Sequence, residues 1–318
     1  MNHKFLALLV CIAIVSGCQK PENEYVPDSA ATAYPAQTIP DYPTGDSSWM
    51  RMDVRFPDQY TVNTPVVFVV PEGSFYSGTK ADAAPLSDRF LARGYITVAM
   101  GYVYADTQGV FYPDSPYHRP SNVHIEHQVN DVRRAVIAYS NSARLWGSGT
   151  GTMYIAGHGH GATLAMLYAY GPYNADNNVR AVANLAGTTD YTVDNDAPYE
   201  PKTWLEQKRL AELFYRGIGE LPLLANNDFI KTKSPYWVAE TSSGKPTISI
   251  YPENNVLLNL PGEAARGLAR TQALHDLLGT RGKANKLSLY TGSDHSFNGG
   301  AKGLDDAIKE AADFFKGK

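Results

Sequence analysis

The chain has 318 residues, 43% of them hydrophobic and 19% charged, enough apolar material for one large domain with its own core. Its formal net charge is -4 and it carries no basic run, which excludes recruitment of nucleic acid, or of any other partner, by bulk charge. With only two cysteines, Cys11 and Cys18, it is not a disulfide-stapled scaffold.

The elements begin with an address. Lys4 supplies a short positive region, and Phe5 to Val15 is an apolar stretch of signal-peptide length, too short to span a bilayer. Val15-Ser16-Gly17-Cys18 follows and resembles the lipobox of bacterial lipoproteins. That resemblance implies removal of residues 1–17, acylation of Cys18, and a membrane as partner through the lipid. The alternative is a soluble secreted chain with an ordinary cleavage site. Gln19 after the cysteine is unlike an inner-membrane retention signal, and Gln19-Lys20-Pro21-Glu22-Asn23-Glu24 is similar to the acidic export tags of some surface lipoproteins. The expected location is the bacterial cell envelope, at the outer membrane. Residues 18–47, rich in Pro, Ala, Asp and Tyr without apolar period, read as a tether.

Residues 48–318 read as one α/β domain. Met50, Met52, Val54 and Phe56 alternate with polar residues, as in a half-buried strand. Val66 to Val70 is continuously apolar, as in a strand covered on both faces. Ala83 to Ala92 predicts a helix closed by Gly94, and Tyr95 to Met100 another buried strand. Ile125, Val129, Val132 and Val136 form a helical inner stripe. Tyr154 to Ala156 predicts a strand, Ala162 to Tyr170 a helix, and Ala181 to Leu185 a strand. About 191–238 the pattern breaks into a small helical insertion containing Trp204, Phe214, Tyr215, Tyr236 and Trp237. Those aromatics read as core before they read as a ligand platform. Thr247 to Tyr251, Glu263 to Leu278 ended by Gly279, and Leu287 to Tyr290 continue as strand, helix and strand. Leu304, Ile308, Ala311 and Phe315 mark a final helix. Alternating units of this kind predict a mostly parallel central sheet with helices on both faces, and a ligand site at the carboxyl ends of the strands.

Three phrases carry chemistry. Gly157-His158-Gly159-His160-Gly161, between strand and helix, has the spacing of the elbow G-x-S-x-G, with Gly159 in place of the nucleophile. Val70-Pro71-Glu72-Gly73-Ser74-Phe75-Tyr76-Ser77-Gly78-Thr79-Lys80 has the spacing of an H-G-G-G-W oxyanion loop, and Gly292-Ser293-Asp294-His295-Ser296-Phe297 that of G-x-D-H-x-F. Together they resemble the esterase and lipase branch of the α/β-hydrolase superfamily, the small carboxylesterases and formamidases, over about Val54 to Phe315. The resemblance implies that fold, a base at His295, an acid position at Asn255 in Tyr251-Pro252-Glu253-Asn254-Asn255, and an oxyanion loop of Glu72, Gly73 and Ser74 with His160. It implies no cofactor and no metal.

The departures are as informative as the matches. Glycine cannot attack a carbonyl, and losing the nucleophile of a serine hydrolase costs about 10⁶ in turnover. Asn255 is an amide where a carboxylate should stabilise an imidazolium; that change alone costs about 10⁴. Glu72 sets negative charge where an oxyanion must grow. Pro71 and Ser74 also leave the pattern. The expected protein is a lipid-anchored pseudo-hydrolase that binds a small ester, a glycan or an aromatic ligand in the elbow pocket. One alternative is an active carboxylic-ester hydrolase with rearranged machinery, using Glu72 with His295 or Ser74 as nucleophile. Another is a structural envelope lipoprotein. Whether the chain is an enzyme stays open at this stage. Glu253 is a second candidate acid. His158 is expected to pack below the elbow and His160 to line the pocket, and the pair lacks a further ligand at metal-site spacing.

Overall fold

The computed structural model describes residues 33–45, 50–108, 121–194, 204–256 and 262–318. The leader at 1–17, Cys18 and the start of the tether lie outside the described residues. Among the described residues no helix is long and apolar enough to cross a membrane.

The fold grows outward from the apolar run that the sequence marks as doubly buried. Eight strands form one sheet: β1 Thr38–Pro43, β2 Arg51–Arg55, β3 Val66–Val70, β4 Ile96–Met100, β5 Met153–His158, β6 Val179–Leu185, β7 Thr247–Asn254 and β8 Asn285–Asp294. Their spatial order is 1-2-4-3-5-6-7-8. β1 and β2 pair antiparallel, as do β2 and β4, and every other pairing is parallel. In β3 the side chains of Val66, Phe68 and Val70 enter one apolar cluster and those of Val67 and Val69 the other. A five-residue apolar strand therefore needs no polar face, because helices cover both sides.

The helices are α1 Ala84–Leu91, α2 Ile125–Ser142, α3 His160–Tyr170, α4 Trp204–Ile218, α5 Asn227–Lys231, α6 Pro235–Ser242, α7 Glu263–Thr280 and α8 Leu304–Phe315. α2, α3, α6 and α7 supply one cluster, through residues such as Val132, Leu164, Ala239 and Leu274. α1 and α8 supply the other, through Phe90, Ile308 and Phe315. All eleven residues of α3 are buried, so this helix has no solvent face. α4, α5 and α6 make up the described part of the insertion.

Two expectations need correction. The tether does not extend to residue 47, because the sheet already begins at Thr38. Ile39 and Tyr42 pack on the core and Tyr34 stacks on Tyr60, while Pro40 and Pro43 confine the segment to the sheet edge. Two prolines and a register shift between Ile39 and Tyr42 hide the strand from a period-two reading. α7 also runs through Gly279 to Thr280, since an interior glycine only weakens a helix that packs well.

A half-buried carboxylate fastens α8 to the sheet. Glu310 accepts from Ser288 at 2.7 Å and Tyr290 at 3.1 Å, and pairs with Lys286 at 2.9 Å and Lys302 at 3.0 Å. Burial pushes this carboxyl up, but hydrogen bonds from Lys286, Ser288 and Lys302 outweigh it and hold it down at about 2. A depressed carboxylate stabilises the fold above its ordinary value of 4.5, and that contribution is lost as pH falls from there toward about 2. Glu310→Gln is expected to lower stability by about 1–2 kcal/mol at neutral pH. Chemical denaturation of both proteins at neutral pH and again near pH ~3 should show the gap narrowing with acid.

Candidate active site

The elbow is shaped by what glycine leaves out. β5 ends at His158, Gly159 turns the chain at φ +51°, and α3 starts at His160. A β-carbon on Gly161 would stand 2.3 Å from the carbonyl oxygens of Val70 and Pro71. The loop leaving β3 therefore lies directly on the first turn of α3, a packing only glycine permits. That contact carries the next residue, Glu72, over the elbow. Lys80 ties the far end of the same loop to Asp41 on β1 and Asp53 on β2.

The Glu72 carboxylate fills the space that a nucleophile side chain would use. A β-carbon on Gly159 would meet Glu72 Oε1 at 2.7 Å and its carboxyl carbon at 2.8 Å. Oε1 lies 2.7 Å from His295 Nε2 and Oε2 lies 3.0 Å from His158 Nδ1. Burial alone would raise the Glu72 carboxyl. Hydrogen bonds and charge from His158 and His295 outweigh burial and hold it well below the usual carboxylate range.

His295 is held from both sides. Its Nδ1 lies 2.5 Å from Asn255 Oδ1, opposite the Glu72 contact. Asn255 Nδ2 donates to the Ala186 carbonyl at 3.3 Å, which turns the amide so that its oxygen faces the imidazole. The loop is set by Asp294, which accepts from the backbone N–H groups of Ser296 at 2.9 Å and Asn298 at 2.8 Å. The Asn298 N–H, foremost among these contacts, holds the Asp294 carboxyl below its ordinary value.

The structure thus brings Gly159, Asn255, His295 and Glu72 together. Other expectations fare differently. Glu253 is not an acid for His295; it accepts from the Gly292 N–H at 2.7 Å and braces the loop. Ser74 lines the cavity beside Glu72, at φ +54°, but both nitrogens of His295 are already engaged by Asn255 and Glu72. His158 does not pack below the elbow. Its Nε2 lies 2.8 Å from the His295 carbonyl, its ring stacks on His295 at 4.7 Å, and its Nδ1 points at Glu72. No sequence spacing links residues 72, 158 and 295, so only the fold reveals this cluster.

His160 is buried rather than exposed to the cavity. Its Nε2 meets Gln128 Oε1 at 2.8 Å and its ring packs on Phe75 at 4.5 Å. Burial pushes its imidazole down to about 3, so it stays neutral. Phe75, Tyr191 and Phe214 continue as a chain of ring contacts from His160 to α4, and the Phe75 ring lies flush on Gly217. These half-buried aromatics pack against the core on the insertion side of the elbow. A cavity of about 570 Å³ opens on the other side, lined by Glu72, Ser74, Tyr76, Ser77, Asp82 and His158 among others.

A strand–glycine–helix elbow, a histidine after the last strand and a sheet of this order fit an esterase-like α/β-hydrolase fold. A family model described as BD-FAE, an esterase-like α/β-hydrolase family, matches residues 52–251, and the chain belongs to that family. A truncated carbohydrate esterase from gut microbiota superposes with TM-score 0.62 at 14% identity, covering 91% of this chain and 97% of that one. Esterase B from Lactobacillus rhamnosis gives 0.63 at 14%, covering 88% and 85%. The thermophilic esterase Est2 from the planctomycete Thermogutta terrifontis gives 0.58 at 18%, covering 88% and 91%. At these identities the likeness shows the fold alone. No curated protein sequence matches the chain.

If loop and helix meet as described, Gly161→Ala is expected to destabilise by about 2–4 kcal/mol, because neither backbone can yield without moving β3 or α3. Gly151→Ala, where nothing lies within 4 Å of the added carbon, should be near neutral. Thermal melting of the two variants checks the contrast.

Proposed function

We propose that this is a lipid-anchored, esterase-like protein of the bacterial cell envelope that has lost serine-dependent ester hydrolysis and binds a small ligand beside the elbow. The Glu72 carboxylate carries the reading: it lies against Gly159 and engages the imidazole that would otherwise activate a hydroxyl. Substrate carbonyl and nucleophile would both need the space it takes. Asn255 can hold His295 in place but, as a neutral amide, does not stabilise a forming imidazolium as an aspartate does. Among ligands, a glycan or its ester fits best. The cavity beside Glu72 presents serine hydroxyls, Tyr76, Asp82 and His158 rather than an aromatic slot. One structural neighbour is described as a carbohydrate esterase, which agrees with that choice.

The Glu72–His295 contact also favours a second reading, an active hydrolase in which this pair activates water. Against it, a carboxylate held far below its ordinary range is a weak base, and both ring nitrogens of His295 are already engaged by Asn255 and Glu72. The open cavity speaks against a purely structural lipoprotein.

The test is labelling with a fluorophosphonate probe together with turnover of short p-nitrophenyl esters. The expected outcome is no labelling and negligible turnover for the native protein. Gly159→Ser alone should stay unlabelled, because Glu72 crowds the new hydroxyl, whereas Gly159→Ser with Glu72→Gly should gain measurable labelling. Stoichiometric labelling of the native protein at any serine, Ser74 included, would overturn the reading.

A further inference from the structure

Glu72, His158 and His295 come from three distant parts of the chain and bring one potential donor atom each into a single cluster. The three atoms lie within 4.8 Å of one another among the described residues. We propose that these residues form a two-histidine, one-carboxylate site for a divalent transition metal ion, Zn²⁺ first, at the place where the hydrolase family carries its nucleophile. The proposal goes beyond the loss of serine chemistry and does not depend on it.

The outer nitrogens support it. A metal-binding histidine gives its other N–H to an oxygen, which fixes the tautomer and the ring plane. His158 Nε2 faces the His295 carbonyl at 2.8 Å, and His295 Nδ1 faces Asn255 Oδ1 at 2.5 Å. Both rings are therefore oriented by oxygen acceptors, with His158 Nδ1 and His295 Nε2 turned inward to the Glu72 carboxylate. The asparagine has a reason here that it lacks in a triad: it is a neutral oxygen acceptor that orients one ligand.

Charge agrees. The Glu72 carboxylate supplies a negative charge for a cation, and the two imidazoles that face it, stacked 4.7 Å apart, would each give a metal a neutral nitrogen. Donor chemistry agrees as well, since imidazole and carboxylate oxygen suit Zn²⁺ and its neighbours, and no soft sulfur ligand adjoins. Ligand atoms around a tetrahedral Zn²⁺ stand roughly 3.3–3.5 Å apart, so the present 2.7 and 3.0 Å contacts would open slightly while the rest of the donor set, within 4.8 Å, would draw in around the ion. The cavity that adjoins Glu72 and His158 leaves room for the remaining coordination positions.

The experiment titrates Zn²⁺ by calorimetry, and Co²⁺ by its visible absorption, into the full chain in detergent carrying Cys11→Ser and Cys18→Ser, so that no thiol competes. The expected result is one ion per chain with a tetrahedral or five-coordinate Co²⁺ spectrum, displaced by Zn²⁺. Glu72→Ala and His158→Ala should abolish the spectrum. Asn255→Ala, which touches no metal, should weaken binding roughly 10- to 100-fold. His127→Ala, on α2 away from the elbow, should change nothing. If His158→Ala fails to fold, Glu72→Gln serves in its place, with thermal melting in the presence and absence of Zn²⁺ as a second readout. No uptake by the parent chain at equimolar Co²⁺ overturns the proposal. So does unchanged binding in Glu72→Gln or His158→Ala, which would leave surface histidines such as His124 and His127 as the ligands.

Discussion

The elbow depends on how closely a loop can approach a helix. Because Gly161 has no side chain, the carbonyls of Val70 and Pro71 rest on the first turn of α3, and Glu72 follows them into the centre of the site. Because Gly159 has none either, the Glu72 carboxylate has somewhere to go. Once there, a half-buried negative charge must be compensated, since a lone buried carboxylate costs several kcal/mol. His158 and His295 provide the compensation, and Asn255 and the His295 carbonyl hold those rings. Three departures from the hydrolase pattern, at Gly159, Glu72 and Asn255, thus each have a neighbour that makes sense of them. Glycine at the elbow and glutamate in the loop are complementary in volume, and asparagine and histidine are complementary in hydrogen bonding.

The scaffold around this cluster is unaltered hydrolase architecture. The parallel strands, the wholly buried α3 and the loop after β8 still deliver three side chains to one end of the sheet. That separation of scaffold from site is why membership of an esterase-like family does not by itself establish esterase activity. Glycine also enters the positive-φ elbow turn at little cost where serine would pay about 1–3 kcal/mol, so Gly159 relieves strain at the turn.

The parts legible in the sequence were those that local pattern specifies. Val66–Val70 reads as doubly buried because five apolar residues in a row need two covered faces, and the structure covers both. Gly159, Asn255 and His295 could be placed because chain order and short phrases fix them relative to strand ends. β1 was hidden because Pro40 and Pro43 break the alternation, although Tyr34, Ile39 and Tyr42 still pack on the core. The role of His158 was hidden for a different reason. Side-chain direction at the end of a strand, and the reach of a glutamate 86 positions earlier, are set by packing between elements and leave no mark on spacing. Glu253 illustrates the converse: its position in the phrase suggested an acid, while its carboxylate is spent on the Gly292 backbone.

The claim on which everything rests is that Gly159 and Glu72 share one volume. A double-mutant cycle in stability measures that directly, by chemical denaturation of the native protein, Gly159→Ser, Glu72→Gly and the double variant. Sharing predicts that Gly159→Ser is strongly destabilising when Glu72 is present and only mildly so when it is absent, with a coupling of at least about 1 kcal/mol. Additive effects, with no coupling between the two positions, would mean that the carboxylate does not occupy the nucleophile's place.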